Sequence, residues 1–311
     1  MNEICRISKD RFDYINTIKY SRNLTILEKI DYLTYLYFNR FGYNLDMTNP
    51  RSFNEKLNWL KIFYNDPLMK ICANKSTAPD FFRSKIDLNG DHIVKRYAVF
   101  NSIDEFTFNG LPNDFILKSN FSYKSQVKVN KDDDDFADIK KKISPYFDPR
   151  NNLYYKSLEY GYKDAKPQII CEKIIQFNFK LEFFVFNGEP LYYWIIFNDK
   201  TQNVCANFYT IDCKQINMRT VYRNFTDIDF SIPHYFNECR DIAAELGRYF
   251  PHVRVDFFAA DETYFFSEMT FYLSGGFGNF TPMEMNIIWG EQLKLPMPLF
   301  ESECSFIFSN K

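Results

Sequence analysis

Residues 254–278, RVDFFAADETYFFSEMTFYLSGGFG, constrain this chain more than any other stretch. Two runs, Val253–Phe258 and Tyr264–Tyr272, are rich in Val, Phe and Tyr. A short polar segment separates them, so they predict a β-hairpin. Side chains alternate along a strand. Arg254 and Asp256 therefore share a face in the first run, and Phe266, Glu268 and Thr270 share one in the second. A turn centred near Asp261–Glu262 sets Asp256 almost opposite Glu268, with Cβ atoms roughly 5 Å apart. Carboxylates that close repel unless a cation or a shared proton lies between them. Such hard oxygen ligands suit Mg²⁺, which takes one or two carboxylates plus substrate phosphates. Arg254 could hold a phosphate or a carboxylate. Leu273–Gly278 follows, a glycine-rich turn whose amides could approach a ligand closely. The same residues also fit a buried hairpin with charges on its rim.

The rest of the chain narrows the chemistry. Its 311 residues suffice for a large core or two subdomains. A formal net charge of −2 implies no bulk attraction to nucleic acid or to an anionic membrane. The seven cysteines are widely spaced without a CxxC, which argues against a zinc knuckle or a disulfide framework and suits a reducing compartment. Met1–Tyr20 carries Arg, Lys and Asp throughout, unlike a signal peptide, and no apolar run reaches the roughly 18 residues of a spanning helix. A cytoplasmic location is expected, with peripheral association at the inner face of the membrane as a further option. The three histidines, His92, His234 and His252, form no i, i+4 pair, so a His-based zinc hydrolase is poorly supported.

In chain order, residues 1–50 read as helical, with Leu24–Phe41 apolar at three- and four-residue spacing and Gly42 as its stop. Ser52 and Glu55 form a capping box opening a helix over Ser52–Tyr64. A further helix is expected from Leu68 past Lys75. Strands are expected at His92–Phe100, Phe115–Ser119 and Lys128–Lys131, and a helix from Asp132–Asp135 to Ser144. Pro149–Tyr162 reads as a polar, tyrosine-rich loop. Gln168–Ile175 is a strand. Phe183–Phe186 and Pro190–Phe197 flank Asn187-Gly188, the preferred type I′ hairpin turn. A strand near Ala206–Ile211 and a helix over Phe236–Tyr249 precede the late hairpin. Helices, then antiparallel strands with one late helix, make an α+β chain. No G-x-G-x-x-G or Walker loop follows a strand, which excludes a doubly wound nucleotide fold.

With these pieces placed, the chain resembles the TupA-like ATP-grasp family of bacterial polysaccharide biosynthesis. The residues that carry this are Asn49–Leu60 (NPRSFNEKLNWL), Asp66-Pro67-Leu68, Ala73-Asn74-Lys75, Leu111-Pro112, Phe115–Asn120 (FILKSN) and Lys166–Lys173 (KPQIICEK). Phe183–Gly188 (FFVFNG), Asn207-Phe208-Tyr209, Val253–Phe257 (VRVDF) and Glu268–Tyr272 (EMTFY) complete the match, which spans about residues 49–297 in register.

The resemblance implies an ATP-grasp fold, two α+β lobes closing over ATP. It divides the chain into a helical extension at 1–48, an N-terminal helical and α+β subdomain at 49–105, a small nucleotide lobe at 106–175 and a large lobe with the metal site at 176–311. In such enzymes ATP phosphorylates a carboxylate and an amine then displaces phosphate to give an amide. In this family one partner belongs to a cell-surface glycan, a uronic acid or an attached amino acid. By the same resemblance Lys75 and Lys118 face the nucleotide, while Ser122, Lys124 and Ser125, in the loop after Lys118, could meet its phosphates through their side chains in place of backbone amides. Glu172 and Lys173 lie at the hinge near adenine and ribose. Asp256, Glu268 and Thr270 hold Mg²⁺, and Arg254 sits near the transferred phosphate or substrate.

Three departures stand out. The loop after Lys118 lacks the family's glycines, reading Ser119–Gln126, so its amides approach phosphates less freely. Lys180-Leu181-Glu182 stands where the family has D-[YW]-K, which puts a glutamate in place of a nucleotide-facing lysine. Asn74 replaces an aspartate. Two classes of function follow: an ATP- and Mg²⁺-dependent carboxylate–amine ligase, or a diverged scaffold. The scaffold would use another phosphorylated donor, such as a nucleotide-sugar with a divalent metal, or serve as a non-catalytic glycan-assembly protein.

Overall fold

The computed structural model describes residues 4–87, 89–122, 125–198, 204–224 and 231–300. Helices dominate the first part: α1 (Lys9–Ile18), α2 (Ile26–Phe41), α3 (Phe53–Phe63), α4 (Leu68–Ala73) and α5 (Ala78–Lys85). Thr25 and Glu28 form a capping box at α2, which ends on Gly42, and Ser52 and Glu55 form the expected one at α3. The single helix expected from Leu68 past Lys75 breaks instead. Asn74 turns out of α4, its side chain accepting from the Ser76 amide at 2.9 Å, and the chain restarts as α5.

A four-stranded antiparallel sheet follows, ordered β1-β4-β2-β3 from β1 (Arg96–Phe100), β2 (Asp114–Ser119), β3 (Val127–Asn130) and β4 (Ile169–Glu172). It thus takes an edge strand from upstream of residue 106. One face packs Phe115, Leu117 and Cys171 on Ile139 and Ile143 of α6 (Phe136–Ile143). The segment from Pro149 to Tyr162, expected to be a polar loop, is folded in. It forms the short helix α7 (Leu153–Ser157) between 3-10 turns and buries Tyr154, Leu158, Tyr160 and Tyr162. The tyrosines read as polar, yet their ring areas favour burial.

The second sheet has six antiparallel strands, ordered β10-β9-β5-β6-β7-β8. They are β5 (Phe179–Phe186), β6 (Glu189–Asn198), β7 (Val204–Thr210), β8 (Gln215–Ile216), β9 (His252–Ala259) and β10 (Tyr264–Thr270). Asn187 and Gly188, at φ 51° and 88°, make the β5–β6 turn. On one face Phe183 and Tyr193 pack against Phe236 of α8 (Phe236–Gly247). On the other, Phe184, Phe186 and Phe208 surround the fully buried Trp289 of α9 (Glu284–Gln292).

The opening motif is explained by this packing. Asn54 donates to the Gly278 carbonyl at 2.7 Å, Asn58 to Gly276 at 2.8 Å and Lys61 to Gly275 at 2.5 Å. Lys56 caps the end of α9 through the Gly290 and Leu293 carbonyls at 2.6 and 2.7 Å. The glycine-rich exit of the late hairpin is therefore fastened to α3 by its carbonyls. At Gly290 the helices touch: an added Cβ would lie 2.1 Å from the Arg51 carbonyl and 2.8 Å from the Phe53 nitrogen. Gly290→Ala is expected to cost about 1–3 kcal/mol in thermal unfolding, because backbone rather than a side chain must move. An unchanged melting temperature would contradict this contact.

Candidate active site

The late hairpin has the expected pairing, with Glu268 opposite Asp256. A β-bulge between Phe266 and Glu268 produces it. Phe266 pairs with Phe257, so it lies on the opposite face from Glu268, not on the shared face that simple alternation gave. The extra residue re-aims Glu268 toward Asp256, a common use of bulges beside functional sites. On the other side of β9, Asp256 pairs with Glu182 of β5. Three carboxylates thus stand in a row across β5, β9 and β10.

Arg254 ties the row together. Its Nε and Nη2 donate to the two Asp256 oxygens at 2.7 and 2.5 Å, Nε also reaches Glu182 Oε2 at 2.8 Å, and Nη2 donates to Thr270 Oγ1 at 3.2 Å. Trp194 Nε1 donates to the same Glu182 oxygen at 2.5 Å, and its ring lies under the guanidinium. Side-chain exposure is 1–2% for Asp256 and Glu182 and 11% for Arg254. Burial works against the Arg254 charge, but Asp256 and Glu182 outweigh it and raise its pKa. Burial pushes the Asp256 carboxyl well above its ordinary range, Arg254 opposes this, and Glu182 and Glu268 add to it.

The remaining cations close the wall. Lys75, between α4 and α5, pairs with Glu268 at 3.0 Å. Burial would push its ammonium down, yet Glu268 and Tyr162 raise it. From the smaller sheet, Lys118 pairs with Glu172 at 2.8 Å. Lys118 and Lys180 both lie over the Phe258 ring, at 5.6 and 5.5 Å, so the two sheets meet there. Lys180 is 4.0 Å from Glu182. Lys75, Lys118, Lys180 and Arg254 are thus balanced by Glu172, Glu182, Asp256 and Glu268.

Several expected residues lie elsewhere. Ser122 is buried and donates to the Asn151 carbonyl at 3.2 Å, which anchors the loop rather than joining the cations. Lys173 is exposed and uses its amide to bond Lys95. Lys124 lies outside the described residues. In the Leu273–Gly278 turn the carbonyls are held by α3, and the Gly275 and Phe277 amides bond back to the Tyr272 and Ser274 carbonyls. Glu182 and Trp194 were not assigned to the site from sequence; strict alternation from the Asn187-Gly188 turn would set Glu182 opposite Tyr193, and a register shift between Phe184 and Val185 brings Trp194 opposite it instead.

The donor set suits a hard, oxygen-seeking cation: Glu268 is one-quarter exposed and opposes Asp256, with the Thr270 hydroxyl on the same face. Among the described residues no three His, Cys, Asp or Glu side chains form a prearranged metal cage. Mg²⁺ would be held by Glu268 and by an Asp256 oxygen given up by Arg254, with substrate supplying the other ligands.

Burial disfavours the ionised Glu268, but Lys75, then Lys180 and Arg254, hold its carboxyl at about 2, below the ordinary 4.5. A depressed carboxyl contributes stability that is fully present above the unfolded value and lost as pH falls through the folded one. Between pH 4.5 and about 2, Glu268→Gln should therefore flatten the loss of stability seen by chemical denaturation. Identical pH profiles would show that the Lys75–Glu268 pair contributes nothing.

The model of the TupA-like ATPgrasp family matches residues 55–294. Solved structures similar to this chain include the ATP-grasp ligase PsnB complexed with a phosphomimetic variant of minimal precursor, Mg and ADP, at 14% identity and TM-score 0.40, covering 72% of this chain and 59% of that one. Another is D-alanine–D-alanine ligase from Bacillus anthracis complexed with ATP, at 14% identity and TM-score 0.40, covering 70% of this chain and 60% of that one. The chain thus spans under two thirds of either structure's length. No curated protein matches it. No helix among the described residues is long and apolar enough to cross a membrane.

Proposed function

Because the chain belongs to the TupA-like ATP-grasp family, we propose that it is an ATP- and Mg²⁺-dependent ligase joining a carboxylate to an amine in cell-surface polysaccharide assembly. Its fold is the α+β ATP-grasp fold of that family. The observation that carries the reading is the bulge-set pairing of Glu268 with Asp256 beside Arg254 and Lys75, on the wall where Lys118 arrives from the other sheet. Bound Mg²⁺ would neutralise phosphate oxygens and orient them for transfer. Lys75 and Lys118 would exchange their carboxylate partners for phosphate oxygens. Arg254, kept in place by Glu182, would turn toward the charge that develops on the transferred group. A uronic acid or an attached amino acid, as carboxylate or amine, is the acceptor in this reading.

The test is trapping. Incubation with Mg-ATP, a uronic-acid oligosaccharide and hydroxylamine should give a hydroxamate and ADP in equal amounts. ADP release without hydroxamate, over a panel of acidic glycans and amino acids, would sink the ligase reading. One observation favours a second reading, an enzyme acting on another phosphorylated donor such as a nucleotide-sugar. Glu182 cancels charge where a lysine would favour a triphosphate, and it is locked under Arg254. Release of a nucleoside diphosphate from a nucleotide-sugar would support that reading.

A further inference from the structure

A cavity of about 260 Å³ lies between the N-terminal extension and the 149–164 segment. Lys19, Tyr20 and Asn23 form one side, and Tyr154, Tyr155 and Asp164 the other. The first group precedes the family-matched residues and the second lies within them, so the cavity forms where the extension meets the matched part of the chain.

Lys19 carries the argument. It is 6% exposed, and its ammonium donates to the Tyr32 hydroxyl at 2.8 Å and to the Tyr155 carbonyl. It also lies 5.1 Å over the Tyr20 ring and 4.7 Å over the Tyr32 ring. None of the described carboxylates pairs with it. Buried charges are ordinarily paired, because burial alone is costly. An ammonium has three donors, and two are used. The other charges lining the cavity are matched: Arg22 is bidentate to Glu28, and Asp164 pairs with Lys70 at 3.0 Å. Burial accordingly depresses Lys19 to about 8. One carboxylate would complete the charge balance, whereas a polyphosphate would overshoot it.

The walls define the rest of the ligand. Tyr20 is about half exposed and lines the cavity beside the cation, its ring 5.0 Å from that of Tyr155 at a 39° tilt. Ser21, Asn23 and Asp164 supply polar groups around the rim. The volume falls just below the about 300–1,000 Å³ of pockets for drug-sized ligands, which suits a single hydroxylated ring. We propose that this cavity is a binding site for a carboxylated monosaccharide, with its carboxylate on Lys19 and its ring on Tyr20. The site stands apart from the nucleotide wall, and its test uses no nucleotide.

Ligand-observed NMR and calorimetry on the full chain, with D-glucuronate, D-glucose and inorganic phosphate as probes, test it. Glucuronate should bind, and glucose and phosphate should bind at least roughly tenfold more weakly, the worth of one charge-assisted hydrogen bond. Lys19→Met should lose the glucuronate advantage while its melting temperature holds or rises, as expected when a lone buried charge is removed. Tyr20→Ala, a half-exposed position, should weaken glucuronate without unfolding, and Glu268→Gln in the other site should leave binding unchanged. Phosphate binding as tight as glucuronate, glucose binding as tight, or Lys19→Met binding like the natural chain would each overturn the proposal.

Discussion

Arg254→Met is expected to lower stability by about 3–5 kcal/mol, the cost of breaking a buried ion pair from one side. The loss follows from what is left behind. Glu182 and Asp256 would remain side by side across β5 and β9, each at most 2% exposed, with no cation between them. Trp194 would still donate to Glu182, but nothing would replace the two bonds to Asp256. Arg254→Lys should recover only part of the loss, because an ammonium supplies a point charge where the guanidinium offers a fork. Urea denaturation of the three proteins checks this. A loss under about 1 kcal/mol for the methionine variant would mean that the carboxylates take up protons or water at little cost.

The second large effect concerns binding. Glu268→Gln should weaken Mg-nucleotide binding by about 2–5 kcal/mol, the usual result of truncating one partner of a desolvated charge pair. The amide keeps the shape and one oxygen but loses the charge that opposes Lys75 and attracts the cation. Binding of nucleotide without metal should change far less. Calorimetry with and without a chelator separates the two. Equal losses in both conditions would assign Glu268 to holding Lys75 alone.

How much of this was legible before the fold was seen depends on the range of each signal. The Gly42 stop of α2, the α3 capping box, the Asn187-Gly188 turn and the Asp256–Glu268 pairing are local, and the structure has them. The bulge was not legible: strict alternation put Phe266 and Glu268 on one face, and only the packing of Phe266 against Phe82 and Phe257 on the other side separates them. Glu182 was visible as a charge out of place, but its role needs β5 beside β9, a pairing between strands far apart in sequence. Ser122 was expected near phosphates as a side-chain substitute for the missing glycine amides, while the structure turns it to Asn151. The tyrosines of 149–162 read as a loop because hydroxyls count as polar in a sequence.

The central claim is that the hairpin carboxylates, with Lys75 and Lys118, form a metal-assisted nucleotide site. Its most direct test is the melting temperature of the chain with Mg-ATP, with ATP plus chelator, and with Mg-UDP-glucose. Mg-ATP at about a hundredfold excess over Kd should stabilise the protein by about 2.7 kcal/mol, and removal of the metal should abolish most of that shift. No shift with any adenine nucleotide at millimolar concentration, with Asp256 and Glu268 intact, would contradict it.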